Sequence, residues 1–83
     1  MKNLKFEILN ERIKNEKYYA LACVSTERGE AYCAIVQDDE LIVQDLGFEK
    51  GRAKEIYELL IRGEVGSVHA EDIVRDLKNE IFA

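Results

Sequence analysis

Two short apolar runs decide the fold: Tyr18-Tyr19-Ala20-Leu21-Ala22-Cys23-Val24 and Ala31-Tyr32-Cys33-Ala34-Ile35-Val36, which flank the turn Ser25-Thr26-Glu27-Arg28-Gly29-Glu30. A strand with one solvent-facing side alternates apolar and polar residues, and neither run alternates. We therefore expect both faces of this hairpin to be covered. A chain of 83 residues has little further mass for that purpose, so the pattern indicates self-association.

Further strands are predicted on either side of the hairpin. Leu4, Phe6 and Ile8 alternate with charged residues and predict a first strand. The polar segment 10–16 is interpreted as a loop, with the first strand ending before it or running on to Ile13. After a turn at 37–40, the segment Leu41 to Gln44 predicts a fourth strand. Short connections between all four strands predict an antiparallel meander.

The length of the central turn sets which residues face each other. Gly29 favours a three-residue loop, 27–29, with the glycine in the left-handed region. Cys23 would then lie directly opposite Cys33. The interpretation we favour is a pair of small buried thiols, and the alternative is a redox-switched disulfide. A four-residue loop would remove the pairing.

The second half of the chain has helical periodicity. Ala53, Ile56, Tyr57 and Leu60 recur at helical spacing and predict a helix over 49–62, with Gly63 as its C-cap. A second helix begins between Ser67 and His69, either of which is a candidate N-cap, and runs to the end. Strands first and helices last predict a single α+β domain, 1–83, with the order ββββαα and both helices on one face of the sheet.

The remaining face of the sheet is expected to be apolar. It is predicted to carry Tyr18, Ala20, Ala22, Val24, Tyr32, Ala34 and Val36, or the set one residue out of phase. Such a patch is too apolar to face water. We therefore predict a homodimer that forms through this face or through a sheet edge. The alternative is a monomer with one helix on each face.

Composition and charge disfavour several classes of protein. The chain is 47% apolar and 35% charged, which is typical of a folded globule. Its net charge of −5 opposes nucleic-acid binding. No segment approaches the roughly 20 apolar residues of a membrane span, and the N-terminus is charged. We expect a cytoplasmic protein with reduced thiols, and a zinc ribbon is excluded because no Cys-x-x-Cys pair is present.

Two groups of residues are weak candidates for ligand binding. Lys50, Gly51 and Arg52 open the first helix, where anions are attracted, although a full P-loop pattern is missing. His69, Asp72 and Asp76 share a helix face and are a candidate metal site, although the ligand set is incomplete. In both cases the simpler interpretation is a solvated helix surface.

Catalysis has little support in the sequence. Asp38-Asp39-Glu40 lacks the spacing of an EF-hand and is interpreted as a hydrophilic turn. The serines lack the glycine-flanked nucleophile elbow, and a single histidine near a chain end gives little support for a catalytic triad. We therefore expect no enzyme activity and no cofactor.

The segment Ile42-Val43-Gln44-Asp45-Leu46, a helix, and then Ser67-Val68-His69-Ala70-Glu71-Asp72-Ile73-Val74-Arg75-Asp76-Leu77 resemble a family of short, uncharacterised proteins of clostridial and related bacteria. The resemblance covers about the last 40 residues, and it departs from the family where a proline often follows the serine. It implies a small α+β domain and carries over no catalytic residue. We predict a self-associating interaction or regulatory module, which can also take a protein partner. The alternative is a small-anion or phospholigand-binding protein.

Overall fold

The computed structural model describes residues 5–82, with side chains described for 5–79. Its elements are β1 (Phe6–Lys14), β2 (Lys17–Thr26), β3 (Gly29–Gln37), β4 (Leu41–Gly47), α1 (Lys50–Arg62) and α2 (Ser67–Phe82). The strands form one antiparallel sheet in the order β1-β2-β3-β4. This confirms the predicted ββββαα arrangement. Leu4 of the predicted first strand lies outside the described residues.

Strand β1 continues through most of the segment 10–16 that was interpreted as a loop, and it ends at Lys14, one residue beyond the alternative end at Ile13. The pairing with β2 continues to Lys14, and Asn15 and Glu16 form a two-residue turn with φ of 50° and 65°. A bulge between Ile8 and Asn10 breaks the alternation. The bulge shifts the phase by one residue, so Ile13 returns to the face that carries Ile8. The alternation of apolar and polar residues in β1 is therefore interrupted at the bulge.

The hairpin between β2 and β3 has a two-residue turn, so the predicted three-residue loop was wrong. Thr26 pairs with Gly29, and its Oγ1 donates to the Gly29 carbonyl at 2.7 Å and accepts from the Arg28 amide at 3.1 Å. Cys23 consequently faces Tyr32, and Cys33 faces Ala22. Directly opposite residues share a face of the sheet, so the two cysteines lie on opposite faces and the predicted facing pair does not form.

Both helices pack on one face of the sheet. The core contains Tyr19, Leu21 and Cys23 from β2, Tyr32, Ala34 and Val36 from β3, and Leu46 from β4, together with Ala53, Ile56, Tyr57, Leu60, Ile61, Ala70 and Val74 from the helices. The shortest dimension of the backbone is 17 Å, as expected for two layers. The assignment of Tyr32, Ala34 and Val36 to the uncovered face was therefore wrong. A register error of one residue moves a whole strand to the other face.

Helix α1 ends in a hydrogen-bonded cap that ties it to the sheet. Gly63 is the C-cap, as predicted. The amides of Glu64 and Val65 donate to the carbonyls of Ile61 and Leu60 at 3.0 Å, which is a Schellman motif. Glu64, with φ of 52°, occupies the left-handed position of that motif. The Tyr19 hydroxyl from β2 donates to the Val65 carbonyl at 2.8 Å, which fixes the connection against the sheet.

Helix α2 is capped from a distant turn rather than by Ser67 or His69, so both predicted N-caps were wrong. The Asp38 carboxylate accepts from the Ser67 amide at 2.9 Å and from the Ser67 hydroxyl at 2.6 Å. These hydrogen bonds lower the pKa of Asp38 to about 2. A Cβ on Gly66 would lie 2.8 Å from Asp38 Oδ2, so only glycine fits there without displacing a group. The turn at 38–40 is thus a structural element and not only a hydrophilic connection.

Candidate functional site

The face of the sheet opposite the helices is the candidate functional surface, and we call it the open face. The strand pairings place on it Phe6, Ile8, Glu11 and Ile13 of β1, Tyr18, Ala20, Ala22 and Val24 of β2, Ala31, Cys33, Ile35 and Gln37 of β3, and Leu41, Val43 and Asp45 of β4. The β2 residues are those predicted from the sequence. The β3 residues are the set one residue out of phase. Of these residues, Glu11 and Asp45 are charged, Gln37 carries an amide and Tyr18 carries a hydroxyl group.

Large apolar side chains are exposed around the rim of the open face. Phe6 is 57% exposed, Ile13 78%, Leu41 61% and Val43 57%. All four lie on the edge strands β1 and β4. Of the other exposed large apolar residues between positions 5 and 79, Phe48 lies beside the β2–β3 turn and Val68 lies on α2. Between positions 5 and 79, exposed large apolar side chains are therefore concentrated on one face.

The centre of the open face is made of small and medium side chains. Ala20 and Ala22 are fully buried, although no helix covers them. In the strand pairings Ala20 lies between Glu11 and Ile35, and Ala22 lies between Ile8 and Cys33, so longer side chains flank each methyl group. The result is a low apolar centre with higher side chains around it, which another surface can approach closely.

Charge on the open face is confined to its two edges. Glu11 lies on β1 and Asp45 on β4, whereas β2 and β3, which are described throughout, place no charged residue on this face. Asp45 is partly neutralised, because Lys78 Nζ lies 3.8 Å from its carboxylate and the Gly47 amide donates to it at 3.0 Å. Burial, and then the nearby Glu11, raises the pKa of Tyr18. The central strip is therefore uncharged at neutral pH.

The two cysteines have different surroundings, and both are free thiols. Cys33 is half-buried on the open face, where burial and the Asp45 carboxylate raise its pKa. Cys23 is only 5% exposed on the face of the sheet that carries the helices, and it donates to Glu30 Oε2 at 3.1 Å. That hydrogen bond, together with burial, raises the pKa of Cys23 as well. Both groups stay protonated near neutrality and behave as small apolar residues.

Both edges of the sheet carry features that oppose strand addition. Strand β1 contains the bulge between Ile8 and Asn10 and several charged residues. On β4, Lys78 Nζ reaches over from α2 and donates to the Asp45 carbonyl at 3.3 Å. Bulges and lysines at an edge are common protections against pairing with another chain. The open face is therefore a better candidate than either sheet edge for contact with another chain.

The predicted anion site at the start of α1 is a solvent-exposed first turn. Lys50, Gly51 and Arg52 are all exposed, and no acidic residue lies in this turn. Glu49 occupies the N-cap without a side-chain cap hydrogen bond, and its carboxylate lies 3.6 Å from the Arg52 guanidinium. A negative partner is thus already present beside Arg52.

The predicted metal site does not form a ligand set. His69, Asp72 and Asp76 are exposed on α2, and Asp72 accepts a hydrogen bond from Arg75. Within the described part of the chain, no group of three or more His, Cys, Asp or Glu side chains is placed to hold a metal ion. The simpler interpretation, a solvated helix surface, fits these contacts.

A shallow recess of about 410 Å³ lies between β4 and α2. Asp45, Glu71, Arg75 and Lys78 line it together with Gln44 and Val74. The charges are mixed, and Arg75 and Lys78 have carboxylate partners in Asp72 and Asp45. The recess therefore offers no surplus charge that would select an ionic ligand.

Comparisons with protein-family models, with curated proteins and with solved structures find no match. The resemblance to the clostridial family therefore stays a prediction. Within residues 5–82, no helix is both long and apolar enough to cross a membrane. The functional conclusion rests on the geometry of the open face.

Proposed function

We propose that this chain is a protein-interaction module of the bacterial cytoplasm that associates with itself through the open face. The observation that carries the proposal is the concentration of exposed apolar side chains around an uncharged centre. Exposed patches of this kind are typical of association surfaces, because covering them releases ordered water. The cytoplasmic location stays a prediction from the sequence.

The size of the open face suits a modest, specific interface. Four strands at about 4.8 Å spacing and four rows of side chains about 6.7 Å apart span roughly 500 Å². Two copies would together bury about 1,000 Å², which is below the roughly 1,200–2,000 Å² of stable complexes and typical of weak, transient ones. We therefore expect a dimer that dissociates on dilution.

Light scattering coupled to size-exclusion chromatography tests the proposal with two matched variants. Val43→Glu places a charge on the open face, and Val68→Glu makes the same change on α2. The two valines are 57% and 75% exposed, so neither change disturbs the core. We expect the parent chain and Val68→Glu to have twice the chain mass of 9.6 kDa, and Val43→Glu to have the mass of one chain.

Two results would overturn the proposal. One is a parent chain of single mass at every concentration up to the millimolar range. The other is a dimer that Val43→Glu and Val68→Glu weaken equally, which would place the contact elsewhere. Far-UV circular dichroism of both variants shows whether each retains its fold.

The anion-binding alternative stays a prediction from the sequence, because a helix N-terminus attracts anions without by itself forming a selective site. A thermal shift in inorganic phosphate tests it. The alternative requires a rise in melting temperature that Lys50→Glu abolishes. An equal rise in both proteins would be a general salt effect.

A further inference from the structure

We infer that two copies of this chain pack sheet against sheet, with a two-fold axis near Ala22 and Cys33, rather than joining their sheet edges. The inference rests on the proposed self-association through the open face and specifies its geometry, in which the same face of each copy meets the other about a central two-fold axis. The partner is a second copy of the same open face, and the helices of both copies lie outside.

The distribution of apolar surface favours this arrangement. Edge-to-edge pairing would leave Phe6, Ile13, Leu41 and Val43 exposed on a doubled sheet. Face-to-face packing covers all four side chains, and the buried apolar area is greatest when the centres of the two faces coincide. A two-fold contact uses the same patch on both copies and closes at two, which leaves no free apolar face to continue the assembly.

The distribution of charge favours it as well. Burying an unpaired carboxylate is unfavourable, so a face that packs against its own copy needs an uncharged centre. Here the central strands β2 and β3 of both copies bring no charged residue into the contact, and Glu11 and Asp45 lie on the edge strands at its rim. Water and salt screen charges at a rim, and Lys78 already lies beside Asp45.

The edges provide an independent argument. An incoming strand at β1 would meet the bulge between Ile8 and Asn10. One at β4 would have to displace Lys78 from the Asp45 carbonyl. Both features oppose a continuous sheet across two copies, whereas neither obstructs the open face.

Cys33 is a native reporter of this geometry, and Cys23 is its control. Sheets that pack face to face lie about 10 Å apart, so a central two-fold axis places the two Cys33 Cβ atoms about 7–10 Å apart. Both thiols would then be enclosed in the interface. Cys23 is buried on the opposite face of the sheet, and its exposure is the same in the monomer and in the dimer.

Maleimide labelling at a fixed pH, followed by mass spectrometry, tests the inference. Cys23→Ser reports on Cys33 alone, and Cys33→Ser reports on Cys23 alone. At protein concentrations about 50–100 times the dissociation constant, the free monomer falls to roughly a tenth of the chains, so Cys33 labelling should slow about tenfold. In the Val43→Glu background Cys33 should label at one rate at every concentration, and Cys23 should label slowly throughout.

The outcomes separate this inference from the proposal beneath it. A parent chain that is dimeric by light scattering, with Cys33 labelled as fast as in Val43→Glu, would overturn the face-to-face arrangement and leave self-association standing. A chain that is monomeric throughout would overturn both. Dimer-dependent protection of Cys33, with Cys23 unchanged, is the result that supports the inference.

Discussion

Replacing Gly66 by alanine tests the contact that begins helix α2. The added Cβ would lie 2.8 Å from Asp38 Oδ2 and 3.4 Å from Lys17 Cε. The lysine side chain can move away. The carboxylate is held in place, because it accepts from the Ser67 amide at 2.9 Å and from the Ser67 hydroxyl at 2.6 Å. Either these hydrogen bonds lengthen or the helix start shifts.

The size of the effect follows from two opposing contributions. Forcing an extra methyl into a filled position costs about 1–3 kcal/mol. Alanine also reduces the entropy of the unfolded chain, which offsets about 0.4–1 kcal/mol. Gly66 does not have a positive φ, so backbone strain adds nothing. We expect Gly66→Ala to lower the free energy of unfolding by about 1–2 kcal/mol.

Urea unfolding at one protein concentration, followed by circular dichroism, measures the effect. Gly51→Ala is the matched control, because a Cβ on Gly51 meets nothing within 4 Å. It should raise the free energy of unfolding by about 0.5–1 kcal/mol. In an Asp38→Ala background, Gly66→Ala should become neutral or stabilising. If it costs as much there as in the parent chain, the contact with Asp38 is not the cause and the reasoning fails.

Three further predictions concern pH and a backbone position. The pKa of Asp38 is lowered from 3.8 to about 2, so the stability that its carboxylate contributes is present above pH 4 and is lost as the pH falls from 4 to 2. Asp38→Asn should remove this acid dependence from the urea midpoints measured at pH 2–5. Burial raises the pKa of Tyr57 from 10.0 to about 12, so the Tyr57 hydroxyl ionises at a lower pH in the unfolded chain and the folded state should lose stability between pH 10 and 12. Across that range the urea midpoint should fall less for Tyr57→Phe than for the parent chain. Glu64 has φ of 52°, where glycine is unstrained; Glu64→Gly should raise the free energy of unfolding by about 1 kcal/mol, and a loss of stability in calorimetry would contradict the strain argument.

The order and type of the elements could be predicted because their periodicities differ. The apolar stripe Ala53, Ile56, Tyr57 and Leu60 is buried in α1, which begins one residue later than predicted. The apolar hairpin runs became β2 and β3 with slightly extended ends. Helical spacing and long apolar runs are signals within one element, so they can be read without knowledge of the tertiary contacts.

The register of β3 could not be predicted, for a physical reason. Gly29 suits a two-residue or a three-residue turn, and the choice moves β3 by one position. Normally the polar residues of a strand would identify its wet face. The run 31–36 is apolar in both phases, so either face fitted the sequence equally. The β2 half of the open face was therefore placed correctly and the β3 half was not.

The cap on α2 could not be predicted because its partners lie far apart in the sequence. Asp38 and Ser67 are 29 positions apart, and each has an ordinary local role, as a turn residue and as a helix start. Only the fold brings the β3–β4 turn beside the second helix. Gly66 gives only a weak local signal, because Ser, Thr, Asn and Asp are preferred over glycine directly before a helix.

The connection between the helices, residues 63–66, also determines how the domain opens. It is held by Tyr19 from the middle of the sheet on one side and borders the Asp38 contact on the other. Neither helix can separate from the sheet alone without breaking the contacts of the connecting segment 63–66, which also hold the other helix. The most protected amides of α1 and α2 should therefore report one common free energy of opening in native-state deuterium exchange, as expected of a cooperative unit that detaches from the strands in a single event.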